Sequence, residues 1–321
     1  MTNSGRCARL AVLGLAVSFP LLAHSAVYPE KPLRWVVPSV AGGGTDTTTR
    51  IIAPKLGEAL GQQILVDNRG GAGSTLGHGY VAAAAPDGYT LLYYSNGLWT
   101  LPLLQKVPYD PQRDFAPVTL AATSPNILVV HPALPVKSVS EFVALAKARP
   151  GQLAYGTSGN GGSNHLAGES FRLASNIKLN AIPYKGSAPG MTDLMAGHIQ
   201  IGYDSIVQSL PHIQSGKLRA LALTSTKRSS ALPGVPTLSE AGIKGAEIYE
   251  WNAVFVPSGT PQGVIGKIVM ALQHALDAPE VKQRIAQLGG EMQRSTPEQT
   301  LTFIEQQVAL WGRVIRDRKI S

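Results

Sequence analysis

The side chains of this sequence best placed to do chemistry are hydroxyls and amides gathered in short glycine-rich stretches. The densest is GTSGNGGSNH at 156–165, with hydroxyls at Thr157, Ser158 and Ser163, a carboxamide at Asn164 and an imidazole at His165. It lies between a strand-like run and a helix start. Ser163 therefore reads as the helix cap, and a carboxylate seated there would accept several hydrogen bonds at once. In AGGGTD at 41–46, Ala41, Gly42 and Gly43 let the backbone approach a ligand closely, and Thr45 or Asp46 can cap the next helix. Similar junctions recur at 69–75, 185–190 and 258–261. Helix starts carry partial positive charge and unpaired N–H donors, each contact worth roughly 0.3–1 kcal/mol. Several converging on one cleft hold a small anion without any catalytic side chain. The chemistry on offer is binding.

Strand ends supply further candidates, because they meet the cleft in open α/β sheets. Tyr184 ends one strand and opens a turn containing Lys185 and Ser187. Asp204 ends another, where it caps the next helix or fixes ligand-bridging water. Ser95 and Asn96 end the strand that begins at Thr90. Lys185 reads as surface charge; Tyr94, Trp99 and Trp251 read as an aromatic wall or as core and rim. Signatures of catalysis are weak. GTSGN at 156–160 has Asn160 where a nucleophile elbow needs glycine. Gly71, Gly73 and Gly77 have nucleotide-loop spacing, yet no acidic residue closes the strand at 90–95, so this loop reads as packing a helix against a sheet. There is no HExxH, Walker loop or clustered metal-ligand spacing, and the histidines stand singly. No cofactor and no metal are expected, although a site assembled from distant residues leaves no trace in a sequence.

The elements that must position these loops follow from periodicity. Short apolar runs at 33–38, 63–67, 90–95, 127–131, 153–156, 180–184, 199–203, 218–224 and 253–257 read as buried, mostly parallel strands. Helices fill the gaps. Ser138 with Glu141, Thr237 with Glu240, and Thr296 with Gln299 have capping-box spacing, and Thr260 and Thr296 each precede a proline at a first helical position. Pro54 predicts a kink within the helix at 46–60. Strand and helix in regular succession mean a doubly wound α/β fold. The segments from Asn126 and from Asn252 are alike, each a strand, a proline turn and a capped helix. If both strands cross between lobes, the expected division is 26–125 plus 251–321 for the first lobe and 126–250 for an inserted second lobe.

Arg6 and Arg9 precede an apolar run at 10–22 and a small-residue site after Ser25, which reads as an export leader over 1–25. Cys7, the single cysteine, falls within it, so the mature chain is expected to hold no thiol. Hydrophobic residues make 44% of the chain and charged ones 15%, which excludes a disordered protein. About 295 residues after cleavage favour two domains. Loss of Arg6 and Arg9 takes the net charge from +8 to +6, a mild field that would gather acidic solutes but lacks the basic clusters of a nucleic-acid binder.

YPEKPLRWVVPSVAGGGTDTTTR, LGQQILVDNRGGAGSTLG, GTSGNGGSNHLAGESF, IPYKGSAPGMTDLMAGHIQIGYD and FVPSGTP, in that order, resemble the extracytoplasmic solute receptors of tripartite tricarboxylate transporters, the Bordetella uptake gene family. The resemblance spans nearly the whole mature chain. It implies a type II periplasmic-binding-protein fold, whose lobes close like a flytrap over a small carboxylate-bearing solute. It also implies a monomeric receptor, one large and one small membrane subunit as partners, and a carboxylate held by backbone amides, hydroxyls and waters. A histidine stands at the place of His165 in the family motif. Where relatives carry a proline and an aromatic residue before the glycines, this chain has Ser39, Val40 and Ala41, which implies a roomier or more polar pocket floor. Two other functions remain open: a periplasmic sensor passing its closed form to a signalling partner, and a secreted nucleotide-dependent oxidoreductase.

Overall fold

The structure is a computed structural model that describes residues 28–317. The leader at 1–25, with Cys7, lies outside them. In chain order the elements are β1 (Leu33–Val37), α1 (Gly44–Leu60), β2 (Ile64–Asn68), α2 (Thr75–Ala82), β3 (Thr90–Tyr94), the single turn α3 (Gly97–Thr100), β4 (Phe115–Val130), α4 (Val139–Ala148), β5 (Ala154–Thr157) and α5 (Ser163–Ala174). They continue with β6 (Asn180–Pro183), α6 (Ser187–Met195), β7 (Ile201–Ser205), α7 (Ile206–Gln214), β8 (Arg219–Leu223), β9 (Tyr249–Pro257), α8 (Gln262–Asp277), α9 (Pro279–Gln287), β10 (Glu291–Met292) and α10 (Pro297–Asp317).

Six of the apolar runs pair in parallel, β1 between β2 and β3 and β5 between β6 and β7, whereas β4, β8 and β9 pair antiparallel. The two long strands β4 and β9 run antiparallel to their neighbours, so each lobe is a mixed sheet of the two-lobed α/β type. Over 115–125, β4 pairs with β9, from Phe115 opposite Pro257 to Pro125 opposite Tyr249. Over 126–130 it turns to β7 and β8, with Asn126 opposite Ser205. One strand thus threads both sheets. Only its end, at 127–131, was expected as a strand; the rest carries Pro117 and Pro125, which cannot donate to a ladder, and register shifts at 117/119 and 120/122 accommodate irregular pairing there.

Each sheet buries both faces except at β6, which was expected to be buried but is exposed along its length because it is an edge strand paired only with β5. Trp35, Leu56, Tyr93 and Leu272 belong to one core of the first lobe, and Val36, Leu92, Trp251 and Phe255 to the other. Leu128, Phe142, Phe171 and Tyr203 pack one face of the second lobe, and Ile127, Leu194 and Leu223 the opposite face. Helix α10 belongs to both lobes: Ile304 joins the Trp251 core, while Trp311 and Ile315 join the Leu128 core.

Local chemistry mostly acts as predicted. Ser138 Oγ accepts the Glu141 amide, and Thr296 and Gln299 close a reciprocal box. Thr237 and Glu240 also close one, but on a turn that never becomes a helix. Pro261 caps α8 rather than opening it. Helix α1 continues through Pro54 without a break.

Candidate ligand-binding site

The start of α1, from the first lobe, meets the starts of α5 and α6 and the end of β7, from the second. The approach is close enough to require glycine. A Cβ at Gly43 would stand 2.8 Å from Ser187 Oγ, and one at Gly44 3.2 Å from Ser205 Cβ. A second seam forms where Gly159 faces Gly73, its Cβ position 2.8 Å from the Gly73 Cα, and where Thr100 Oγ1 donates to the Gly161 carbonyl at 2.7 Å. Between these seams is an enclosed polar cavity of about 30 Å3, room for roughly two waters. A larger guest enters only if the lobes part or the lining moves.

Of the residues expected at the site, Gly43, Thr45 and Ser95 line the cavity from the first lobe, and Ser158, Ser163, Asn164 and Asp204 from the second. Ser163 is the first residue of α5 rather than its cap; Gly162 caps by backbone alone, which leaves the Ser163 hydroxyl to the cavity. Asn164 orders the loop around itself. Its Oδ1 accepts from the Ser158 amide at 3.0 Å and hydroxyl at 2.9 Å, and its Nδ2 donates to Asp204 Oδ1 at 3.3 Å. Asp204 therefore faces Asn164 and caps no helix.

The other expected residues stand behind this lining. Ala41 and Gly42 are exposed, and the Gly42 amide donates to Asp46 Oδ2 at 2.9 Å. Asp46 also binds Arg50 and Asn68, which makes it the brace of the α1 start. His165 Nδ1 accepts the Gly161 amide at 3.1 Å, and burial lowers its pKa, so a neutral ring holds the loop at 158–164 in shape. Tyr184 donates to Asp193 Oδ2 at 2.7 Å. Asn96 is buried outside the lining, and Thr157 borders a smaller neighbouring void. In the glycine loop after β2, a Cβ at Gly77 would fall 2.5 Å from Pro38 Cβ, so close packing of α2 on the sheet demands that glycine.

Of the three aromatics considered for a wall, Tyr94 lines the cavity, hydrogen-bonded to Ser74 at 2.7 Å, while Trp99 and Trp251 lie in the core. Ser74 and, on another wall, Asn126, Ser205, Gln208 and Glu250 were not singled out as ligand contacts. Asn126 and Glu250 come from the crossing strands, where only strand pairing brings them beside Asp204. Glu250 accepts from Thr45 Oγ1 at 3.5 Å. Burial pushes its pKa up to about 7, against hydrogen bonding from Ser205, Asn252 and Thr45. Burial likewise raises Asp204 to about 7, with Asn164 opposing and the Glu250 charge adding to the rise. No lysine, arginine or histidine lines this cavity among the described residues.

Residues 48–320 match the family described as tripartite tricarboxylate transporter family receptor. The chain belongs to that family. Among receptor relatives, protein BugT of Bordetella pertussis is 36% identical over 314 residues, which cover 96% of each chain. Among solved structures, the periplasmic binding protein BugD superposes with a TM-score of 0.88 at 36% identity, covering 92% of this chain and 99% of its own. MatC from Rhodopseudomonas palustris, with bound malate, superposes with a TM-score of 0.86 at 31% identity, over 90% of this chain and 100% of its own. The two-lobed fold of this receptor is thus that of periplasmic binding proteins.

Proposed function

We propose that this chain is a periplasmic solute receptor that captures a small carboxylate-bearing solute by lobe closure and delivers it to the two membrane subunits of a tripartite tricarboxylate transporter. The observation that carries the reading is the convergence of helix starts from both lobes on one enclosed polar cavity. The first N–H groups of α1 and α5 have no partner within their helices, and a carboxylate placed between them joins the lobes through both sets of donors. A buried carboxylate is costly unless hydrogen-bonded, so open lobes lose little by parting while ligand favours closure. Malate bound to MatC supports the ligand class. We assign the lobes as 26–125 with 251–321 and 126–250, with the end of α10 packed back into the core of the second, place the mature receptor in the periplasm as a monomer after removal of 1–25, and take its role to be binding without catalysis.

Isothermal titration of the mature chain with mono-, di- and tricarboxylates tests this reading. We expect binding of at least one acid, weakened tenfold or more by Asp204→Ala and by Gly43→Val. Both variants should keep their melting temperature within about 3 °C, since the backbone at Gly43 is extended at φ −78°, which any residue adopts, and the added side chain clashes only across the seam, with Ser187 of the other lobe. Unchanged affinity in both variants, or no binding of any acid, rejects the assignment.

A further inference from the structure

The cavity has two chemically opposite walls. One is built of helix starts and hydroxyls, with the α1 start and Ser163 offering donors, while the Ser158 amide and hydroxyl are engaged by Asn164 Oδ1. The other presents Asp204 and Glu250, two carboxyl groups from different strands, with no basic side chain among the lining to neutralise them. Beside them stand two buried amides whose hydrogen-bonding capacity goes unused. Asn126 is fully buried; its Nδ2 donates to the Tyr203 carbonyl at 2.8 Å, while its Oδ1 has no partner. Gln208 is 7% exposed, and neither atom of its amide has a partner. A buried acceptor without a donor is destabilising, and two ionised carboxylates without a counter-charge are far more so. Carboxyl and amide acceptors outnumber the unused Gln208 Nε2 donor on this wall, and only a cationic donor would balance their charge.

Resting on the receptor reading above, we propose that the solute is a zwitterion, a small acid that also carries an ammonium group. Its carboxylate takes the donors at the helix starts and its ammonium sits against Asp204, Glu250 and the Asn126 Oδ1. An ammonium has three donors and no acceptor, which matches three acceptors from three strands. The alternative is that one or both carboxyls stay protonated and donate to a plain dicarboxylate, which their upward-shifted pKa values make chemically possible near neutral pH. The two cases differ in the sign of their pH dependence. A cationic guest favours ionised carboxylates, so its affinity rises from pH 5.5 to 8; a plain dicarboxylate favours protonated ones, so its affinity falls. Tyr94, the other titratable group on the lining, is raised to about 12 and stays neutral over this range.

Matched pairs of acids read the proposal directly: succinate against aspartate and glutarate against glutamate, titrated calorimetrically into the mature wild-type chain and into Glu250→Gln. We expect the aminated member of at least one pair to bind 30-fold or more tighter, its affinity to rise tenfold or more from pH 5.5 to 8, and Glu250→Gln to remove most of the preference. Circular dichroism and the melting temperature establish that the variant is folded. Equal or tighter binding of both unaminated acids, or an unchanged ratio in Glu250→Gln, overturns the zwitterion and leaves the receptor assignment standing. Failure of all four acids, together with every acid in the carboxylate panel, overturns both.

Discussion

Glu250 and Asp204 give the ligand-free protein a pH response of fixed sign. Both carboxyls titrate near 7 when folded and near 4 when unfolded. The native state therefore binds the protons more tightly. The stability they contribute is fully present below about pH 4 and is lost as pH rises through 7. Buried His78, lowered to about 3, and His165, also lowered, act in the opposite sense below pH 6.5, so the carboxyl effect is read as a difference between variant and wild type. Chemical denaturation should find Glu250→Gln more stable than wild type at pH 8.5 by on the order of 2–3 kcal/mol. At pH 4 the gap should nearly vanish. A gap that does not grow with pH would show that Glu250 is well solvated. At this scale the sequence was informative where function sits on a loop: Ser158, Asn164 and Asp204 were all named from it and all reach the cavity. Glu250 was passed over because one glutamate before a tryptophan carries no local sign of burial. His165 and Asp46 looked like ligand contacts because residue type does not reveal that each is engaged with its own backbone loop.

At the scale of elements, the seams between lobes decide how easily the cleft closes. Gly159 has φ +117° and stands against the Gly73 backbone, which cannot rotate aside as a side chain can. Gly159→Ala should add strain and hold the seam apart, weakening binding of whichever acid the wild type prefers by about tenfold, as read by calorimetry. Scattering should show a wider ligand-free particle. Wild-type affinity in this variant would mean that the seam opens during binding. By contrast, Thr296→Ala removes a cap outside the cavity lining and should cost about 1 kcal/mol of stability with affinity unchanged. Such caps are legible because three residues carry the whole signal. The Thr237–Glu240 box shows the limit, for it closes correctly on a turn that no helix follows.

At the scale of the molecule, α10 ties the lobes together, with Ile304 in one core and Trp311 and Ile315 in the other. Trp311→Ala should cost roughly 3–5 kcal/mol, and because the helix spans both cores the loss should lower a single melting transition. Two separate transitions in calorimetry would mean that the lobes unfold independently and that α10 does not couple them. The sequence by itself determined the α/β class, the order of most strands, the glycine-rich loops at helix starts and the family, because these depend on periodicity, propensity and motif within short windows. The tertiary structure alone decided that β4 runs on through two prolines into both sheets, that α10 serves both cores, and that Asn126, Gln208 and Glu250 share a wall with Asp204. Those facts depend on pairing between residues far apart in the chain, and burial of a polar side chain is a property of what the rest of the fold places around it.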